Sequence, residues 1–217
     1  MIKIIKEIVP KEAHYYVAVS MGVDSVSSLF WLRSKGYKIT PLHFNHNLRE
    51  QNHVMEDKFL ELCNKLGLKG ILGRGENLKT EKDCRDARLN FYRESVSYGS
   101  SVITAHHLND YVESYLINCF RGQPNHTPFE LISEFNGYKI IHPFLLSKKK
   151  DFQEYVDRNK WNCYTVEDET NKVVKGSRRN WIRQTIIPEM KNQKLSLEKY
   201  CSRRIGKNLK NKMVILD

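Results

Sequence analysis

The chain has 217 residues, 40% hydrophobic and 28% charged, which suits one sizeable globular α/β domain with a small appendage and excludes fibrous or disordered classes. No apolar run approaches the roughly 20 residues that cross a bilayer, and Lys and Glu interrupt the N-terminal "MIKIIKEIVPKEAHYY", so the expectation is a cytoplasmic protein without a secretory leader or membrane partner. A formal net charge of +11 favours a polyanionic partner, because each Lys or Arg placed on a phosphate releases condensed counterions.

The first apolar run, "YYVAVS", reads as a strand. It gives way at once to Ser20, Met21, Gly22, Val23, Asp24 and Ser25, then to the helical pattern "DSVSSLFWLRSKG" closing on Gly36. Further strands are expected at "YKITPLHFN", "KGILG", "SSVITAH" and "YKIIHPF". Between the first four lie helical stretches. "VMEDKFLELCNKLGL" spaces Phe59, Leu60, Cys63 and Leu66 three and four apart, and "DCRDARLNFYRESVSYG" repeats the pattern with Ala87, Phe91 and Val96. Strands alternating with helices of this length imply a doubly wound, mostly parallel sheet over residues 1–145, with helices on both faces. Ligands of such sheets sit beyond the carboxyl ends of the strands, where the turn after Val19 falls.

The composition changes near Leu145. Residues 146–217 read as an amphipathic helix, "LLSKKKDFQEYVDRNKW", then the polar loop "VEDETNKVVKGS", then a basic helical segment from Ser177 onward. The five cysteines form no C-x-x-C pair, so buried free thiols in a reducing compartment are expected, not a metal framework.

The turn from Ser20 to Ser25 has the makings of an anion cradle. Gly22 permits close backbone approach, amides at the mouth of a helix converge on one spot, and the two serine hydroxyls can add donors. A carboxylate there has two readings: Asp24 caps the helix, or it shares a divalent cation with a bound phosphate. The pattern is neither G-x-x-x-x-G-K-[ST] nor G-x-G-x-x-G.

The turn resembles the S-G-G-x-D-S loop of the PP-loop ATP pyrophosphatases, with Met21 where the first glycine would stand; the loop must therefore accept a side chain at that position. Four later stretches are similar, in order, to motifs of the tRNA(Ile) lysidine synthetases: "LHFNHNLRE", "RDARLNFYRE", "TAHHLNDYVESYLINCFRG" and "VEDETNKVVKGSRRNWIRQTIIPEM". The resemblance covers about Val17 to Met190. It implies an ATP- and magnesium-dependent ligase that adenylates C2 of the wobble cytidine of a tRNA(Ile) with a CAU anticodon and joins free L-lysine to it. It implies that Ser20, Met21, Gly22, Val23, Asp24, Ser25, His46 and His106 meet ATP or pyrophosphate, with Asn45 and Arg49 beside His46. Asp24 and Asp110 would hold Mg2+ and, with Arg88, make the catalytic set; Arg85, His107 and Glu113 would meet lysine or the reacting base. For Asp110 a helix-capping role stays open, and for His106 and His107 a packed, hydrogen-bonded pair does.

The same resemblance gives Arg121, Arg179 and Arg183 to tRNA and folds the loop holding Glu167, Asp168 and Asn171 over the site edge; Arg179 and Arg183 with Asn180 either anchor that loop or contact tRNA, and an architectural salt-bridge cluster stays open for them. After Gly122, "QPNHTPFEL" departs from the family's glycine-rich continuation. Many family members carry further tRNA-gripping domains, so the basic tail from Lys191 to Lys212, with Arg203 and Arg204, is expected to supply backbone contacts. A homodimer is a further expectation. Two readings compete with lysidine synthesis: a tRNA thiolase of the same superfamily, and a degenerate phosphate-loop protein that binds tRNA or nucleotide without turnover.

Overall fold

A computed structural model describes residues 1–167 and 177–216, with side-chain surroundings as far as residue 211. In chain order it comprises β1 (His14–Ala18), α1 (Val23–Ser34), β2 (Lys38–Asn45), α2 (Glu50–Leu66), β3 (Ile71–Arg74), α3 (Glu81–Ser95), β4 (Ser100–Ile103) and α4 (Leu108–Phe120). Then come β5 (Ile132–Phe135), β6 (Tyr138–Ile141), α5 (Lys149–Asn159), α6 (Arg178–Trp181), a π-helical turn (Ile182–Ile186), α7 (Ile187–Asn192) and α8 (Glu198–Leu216). Among the described residues no helix is long and apolar enough to cross a membrane.

The six strands run in the order β3-β2-β1-β4-β6-β5. All neighbours are parallel except β5 and β6, which pair antiparallel. From β1 the chain winds outward through β2 and β3, then returns to β4 on the other side of β1. The loops leaving β1 and β4 therefore part and leave a crevice between them, the switch point of a doubly wound sheet.

Side-chain alternation shows why both faces carry helices. On β1, Tyr15 and Val17 enter a core with Val26, Leu29, Phe59 and Leu62 of α1 and α2. Tyr16, between them, packs the opposite way against Tyr92 and Val96 at the end of α3 and beyond. A third cluster joins Tyr111, Val112 and Leu116 of α4 to Ile182, Cys201 and Ile205, so the C-terminal helices close on α4.

All five expected strands are present, and a sixth is added. β5 escapes the sequence pattern because it is a four-residue edge strand with no long apolar run. Its signal was the Asn136-Gly137 pair between "ISEF" and "YKII", a two-residue hairpin turn in which Gly137 takes φ 91°. Two details of the helices also differ. Leu60 on α2 is exposed, and Met55 and Leu62 take the core positions beside Phe59 and Cys63. The basic C-terminal segment is not one helix but α6, the π turn and α7, with Pro188 at the start of α7, then α8 after a break.

The helix α3 that carries Arg85 and Arg88 lies tight on β3. A β-carbon on Gly73 would come within 2.4 Å of the Phe91 ring, so ring and helix would have to move. Gly73→Ala is expected to cost about 1–3 kcal/mol in denaturant unfolding, the usual cost of overpacking; an unchanged midpoint would show that α3 is free to shift.

Candidate active site

The carboxyl ends of β1 and β4 deliver two turns into one crevice. In the first, Ser25 Oγ donates to the Gly22 carbonyl at 3.0 Å and accepts from the Ser20 amide at 3.1 Å. Ser20 Oγ donates to Ser25 Oγ at 3.2 Å. The hydroxyls shape the turn from inside. Gly22 is the N-cap residue of α1 and no side chain caps the helix, so the first-turn amides, which have no carbonyl one turn back, point outward. That is an anion site by geometry.

Met21 resolves the departure seen in the sequence. It adopts φ 63°, in the left-handed region, where a glycine would be at ease and a side chain costs about 1–3 kcal/mol. The side chain is fully buried in the α1–α2 core, which returns about 1.5–3 kcal/mol and pins the turn to the sheet. The Met21 carbonyl accepts from the Val166 amide at 2.8 Å, and Gln51 Nε2 donates to the Glu167 carbonyl at 2.7 Å. The chain after residue 164 thus passes beside the turn. Asp168 and Asn171 lie outside the described residues.

Asp24 sits in the first turn of α1 without capping it. Its Oδ2 lies 3.5 Å from His107 Nε2, while Oδ1 is buried and has no partner among the described residues. His107 is the N-cap residue of α4: its amide donates to Asp110 Oδ2 at 3.0 Å, and its Nδ1 faces the Asp110 amide at 3.3 Å and Oδ2 at 3.2 Å. One oxygen of Asp110 therefore does serve the cap. The chain Asp24–His107–Asp110 links the N-termini of two helices through one imidazole that is only 1% exposed.

Burial opposes charge on His107, but the hydrogen bond to Asp24 and the fields of Asp110 and Glu113 outweigh it and raise its pKa. Burial pushes Asp110 up, and the neighbouring His107 and His106 with the His107 amide pull it, on balance, below the usual carboxylate value.

The alternative left open for His106 and His107, a packed and mutually hydrogen-bonded pair, does not occur. They diverge. His106 Nδ1 lies 2.9 Å from Thr104 Oγ1 and 3.3 Å from His142 Nδ1, and Thr104 Oγ1 also meets His142 Nδ1. Burial, with charged neighbours, brings His106 down to about 4 and His142 down to about 3, so both are neutral hydrogen-bonding groups. Sequence reading missed His142. Its signal was its place directly after β6, since the β4–β6 register sets Ile141 beside Ile103.

Glu113 lies one turn beyond Asp110 on α4, buried. Arg183 grips it through two bonds of 2.8 Å, from Nε and Nη2, and its Nη2 stands 3.8 Å from Asp110 Oδ1. Arg179 Nη2 donates to Ser114 Oγ at 2.8 Å. Both arginines thus tie the C-terminal segment to the acids of α4. Asn180 is buried beside them.

On the other side of the crevice, burial lowers the His46 pKa, with the Arg88 and His43 fields adding to the effect, and its Nδ1 is buried without a partner among the described residues. Asn45 is fixed beneath it, donating to Glu56 at 2.7 Å and accepting from the Asn47 amide at 2.7 Å. Arg74 and Asn45 hold Glu56 down to about 2 against its burial. Arg85 and half-buried Arg88 form no ion pair among the described residues. Arg121 and Arg203 lie exposed on the outer surface. Arg204 instead donates to the carbonyls of Pro124 and Asn125 and covers the Tyr115 ring, clamping the loop after Gly122.

A magnesium ion takes few protein ligands, one or two carboxylates, and leaves the rest to water and phosphate oxygens. Asp24 fits, because a buried carboxylate oxygen is left over beside the uncapped turn; Asp110 offers the neighbouring carboxylate. The Asp24–His107–Asp110 arrangement can hold a triphosphate and its cation while keeping two acids at fixed separation.

Comparison with known proteins gives the chain a family. The PP-loop domain family matches residues 1–190. A tRNA(Ile)-lysidine synthase of Staphylococcus aureus is 34% identical over 193 residues, covering 81% of this chain and 43% of that protein. One from Thermotoga maritima is 31% identical over 201 residues, covering 85% of this chain and 47% of that protein. The chain thus spans less than half the length of these curated relatives. Among solved structures, a U34-tRNA thiolase from Methanococcus maripaludis, solved with its 4Fe-4S cluster, superposes with a TM-score of 0.69 at 14% identity, over 94% of this chain and 74% of that one. That likeness bears on fold alone.

The turn, the imidazole and the Asp110 carboxyl each have a measurable consequence. Met21→Gly should be about 1 kcal/mol more stable than Met21→Ala, a reversal of the usual order, because both lose the buried side chain and only glycine is at ease at positive φ; the ordinary order in thermal melts would refute the strain. His107 has a raised pKa, so the wild type's stability margin over His107→Gln should be full below pH ~6.5 and shrink as pH rises through the folded value. Asp110, lowered, should lose its own contribution as pH falls below ~3.9. Unfolding midpoints across pH test both signs.

Proposed function

The chain belongs to the PP-loop domain family, and from that premise we propose that it is a tRNA(Ile) lysidine synthetase acting on a wobble cytidine. ATP use follows from the family; the substrates are the proposal. The observation that carries it is the pair of acids Asp24 and Asp110 joined through buried His107 beside an uncapped helix mouth.

In this reading the turn amides of residues 22–25 receive the phosphates, and Arg88 and Arg85 supply positive charge that no ion pair neutralises among the described residues. The C2 oxygen of cytosine attacks the α phosphate, and pyrophosphate departs. The lysine ε-amine then attacks C2, the C2–O bond breaks, AMP leaves with that oxygen, and a proton is lost from nitrogen. Mg2+, held by Asp24 and Asp110, would neutralise charge on the phosphates. Glu113 is buried with both oxygens held by Arg183, and with Asp110 it gives the ammonium of lysine an acidic lining. His107 fixes the two acids from beneath; it is a positioning residue. His106, His142 and Thr104 present a neutral polar wall at the end of β4 and β6, suited to a base or an adenine. His46 presents another across the crevice.

The test is incubation with labelled lysine, ATP and a tRNA bearing a CAU anticodon. Lysine should enter the RNA with one AMP and one pyrophosphate released per event. Asp24→Asn should lower turnover by about 10²–10³-fold, typical for loss of a group that stabilises developing charge, with the fold retained by circular dichroism. Sulfur transfer, or ATP binding with no product, would overturn the proposal.

A further inference from the structure

At the far end of α4 two aromatic rings stand in solvent. Phe120 is 60% exposed and Trp181 40% exposed, although both are large and apolar. Their ring centroids are 5.8 Å apart and the planes are tilted by 46°. They come from separate elements, the last residue of α4 and the last residue of α6, so the pair exists only once the C-terminal segment has docked. Arg121 and Arg178 flank it, both exposed. Neither forms an ion pair among the described residues.

We propose that Phe120 and Trp181 form a stacking platform for an unpaired base of a bound RNA loop, with Arg121 and Arg178 on its phosphates. This rests on the reading of the chain as an RNA-modifying enzyme and adds where a second nucleotide of the substrate is held. Stacking suits such a base because every base has a π face, and it needs no sequence-specific hydrogen bond. The rim explains the choice of occupant. Two cations that form no ion pair among the described residues, beside exposed rings, complement a polyanion carrying bases, whereas a covering protein would need acids to meet them, and this chain's surplus charge is positive.

Position supports the same occupant. Asp110 and Phe120 are ten residues apart on one helix, about 15 Å at 1.5 Å per residue. A stacked strand advances about 3.4 Å per nucleotide, so the platform meets a base some four nucleotides from the one at the acids. Both fall within one short loop. Trp181 is also two residues from Arg183, whose grip on Glu113 sets the distance between platform and acids.

The experiment measures RNA binding without ATP or lysine. A labelled hairpin with an unpaired CAU-bearing loop is compared with the same strand annealed to its complement. Phe120→Ala with Trp181→Ala should weaken hairpin binding about tenfold or more and leave the duplex within about twofold, and Trp181→Tyr should keep hairpin affinity. Arg121→Gln and Arg178→Gln should each reduce the salt slope by about one. Phe120→Ser and Trp181→Gln, tested singly at these exposed positions, cover the case in which the double variant does not fold. Equal losses on both RNAs, no loss on either, or a dimer that dissociates on substitution would overturn the platform. Its failure is distinguishable from failure of the proposed function: lysine incorporation with undiminished hairpin binding by the variants sinks only the platform. Hairpin binding that depends on the pair, with no pyrophosphate released on any RNA, sinks only the function.

Discussion

One buried imidazole organises the crevice. His107 is the N-cap of α4, so its position is set by the backbone hydrogen bonds that start that helix, and its other nitrogen reaches the acid in the first turn of α1. Two helices whose N-termini would otherwise be independent are thereby held at one spacing. The partial positive ends of both helices and the imidazole act against the burial that pushes the Asp110 carboxyl toward protonation. Every other group in the crevice is arranged around that fixed pair. The uncapped turn lies on one side, and the neutral Thr104–His106–His142 wall on the other.

The second constraint comes from far along the chain. Glu113 is buried and would be costly unpaired; Arg183 satisfies both of its oxygens from the π-helical turn. A π turn displaces side chains relative to a regular helix, and here it carries Arg183 while α6 just before it carries Arg179 and Asn180. The C-terminal helices are therefore part of the site wall, joined to α4 by an apolar cluster and by a charged one.

Much of this was readable in advance. Alternating apolar runs and helical spacings specified the parallel sheet, and the Ser20–Ser25 turn marked the crevice, because those patterns are local. What escaped was set by pairing between distant segments. β5 carries little pattern of its own and becomes a strand by hydrogen bonding to β6. "TAHH" looks like a pair facing one way, yet the second histidine must turn to cap α4 while the first remains with the strand end. His142 becomes part of the wall only through the β4–β6 register. Arg183 and Arg179 have the chemistry of RNA contacts in sequence, and the structure also joins both to acids and hydroxyls of α4, with Arg179 still partly exposed. Met21 is the converse: the motif asks for glycine, and the chain answers with a methionine whose burial offsets its backbone strain.

The Glu113–Arg183 clamp also sets an order of events during synthesis. The two residues are 70 positions apart, so a ribosome working at about 5–20 residues per second delivers the guanidinium several seconds after the carboxylates of α4. Throughout that interval Asp110 and Glu113 sit side by side, mutually repelling, in a half-built sheet domain. Water must stay on Glu113 until the last helices arrive. In a nascent chain the acids of α4 come first and the guanidinium that covers Glu113 comes last.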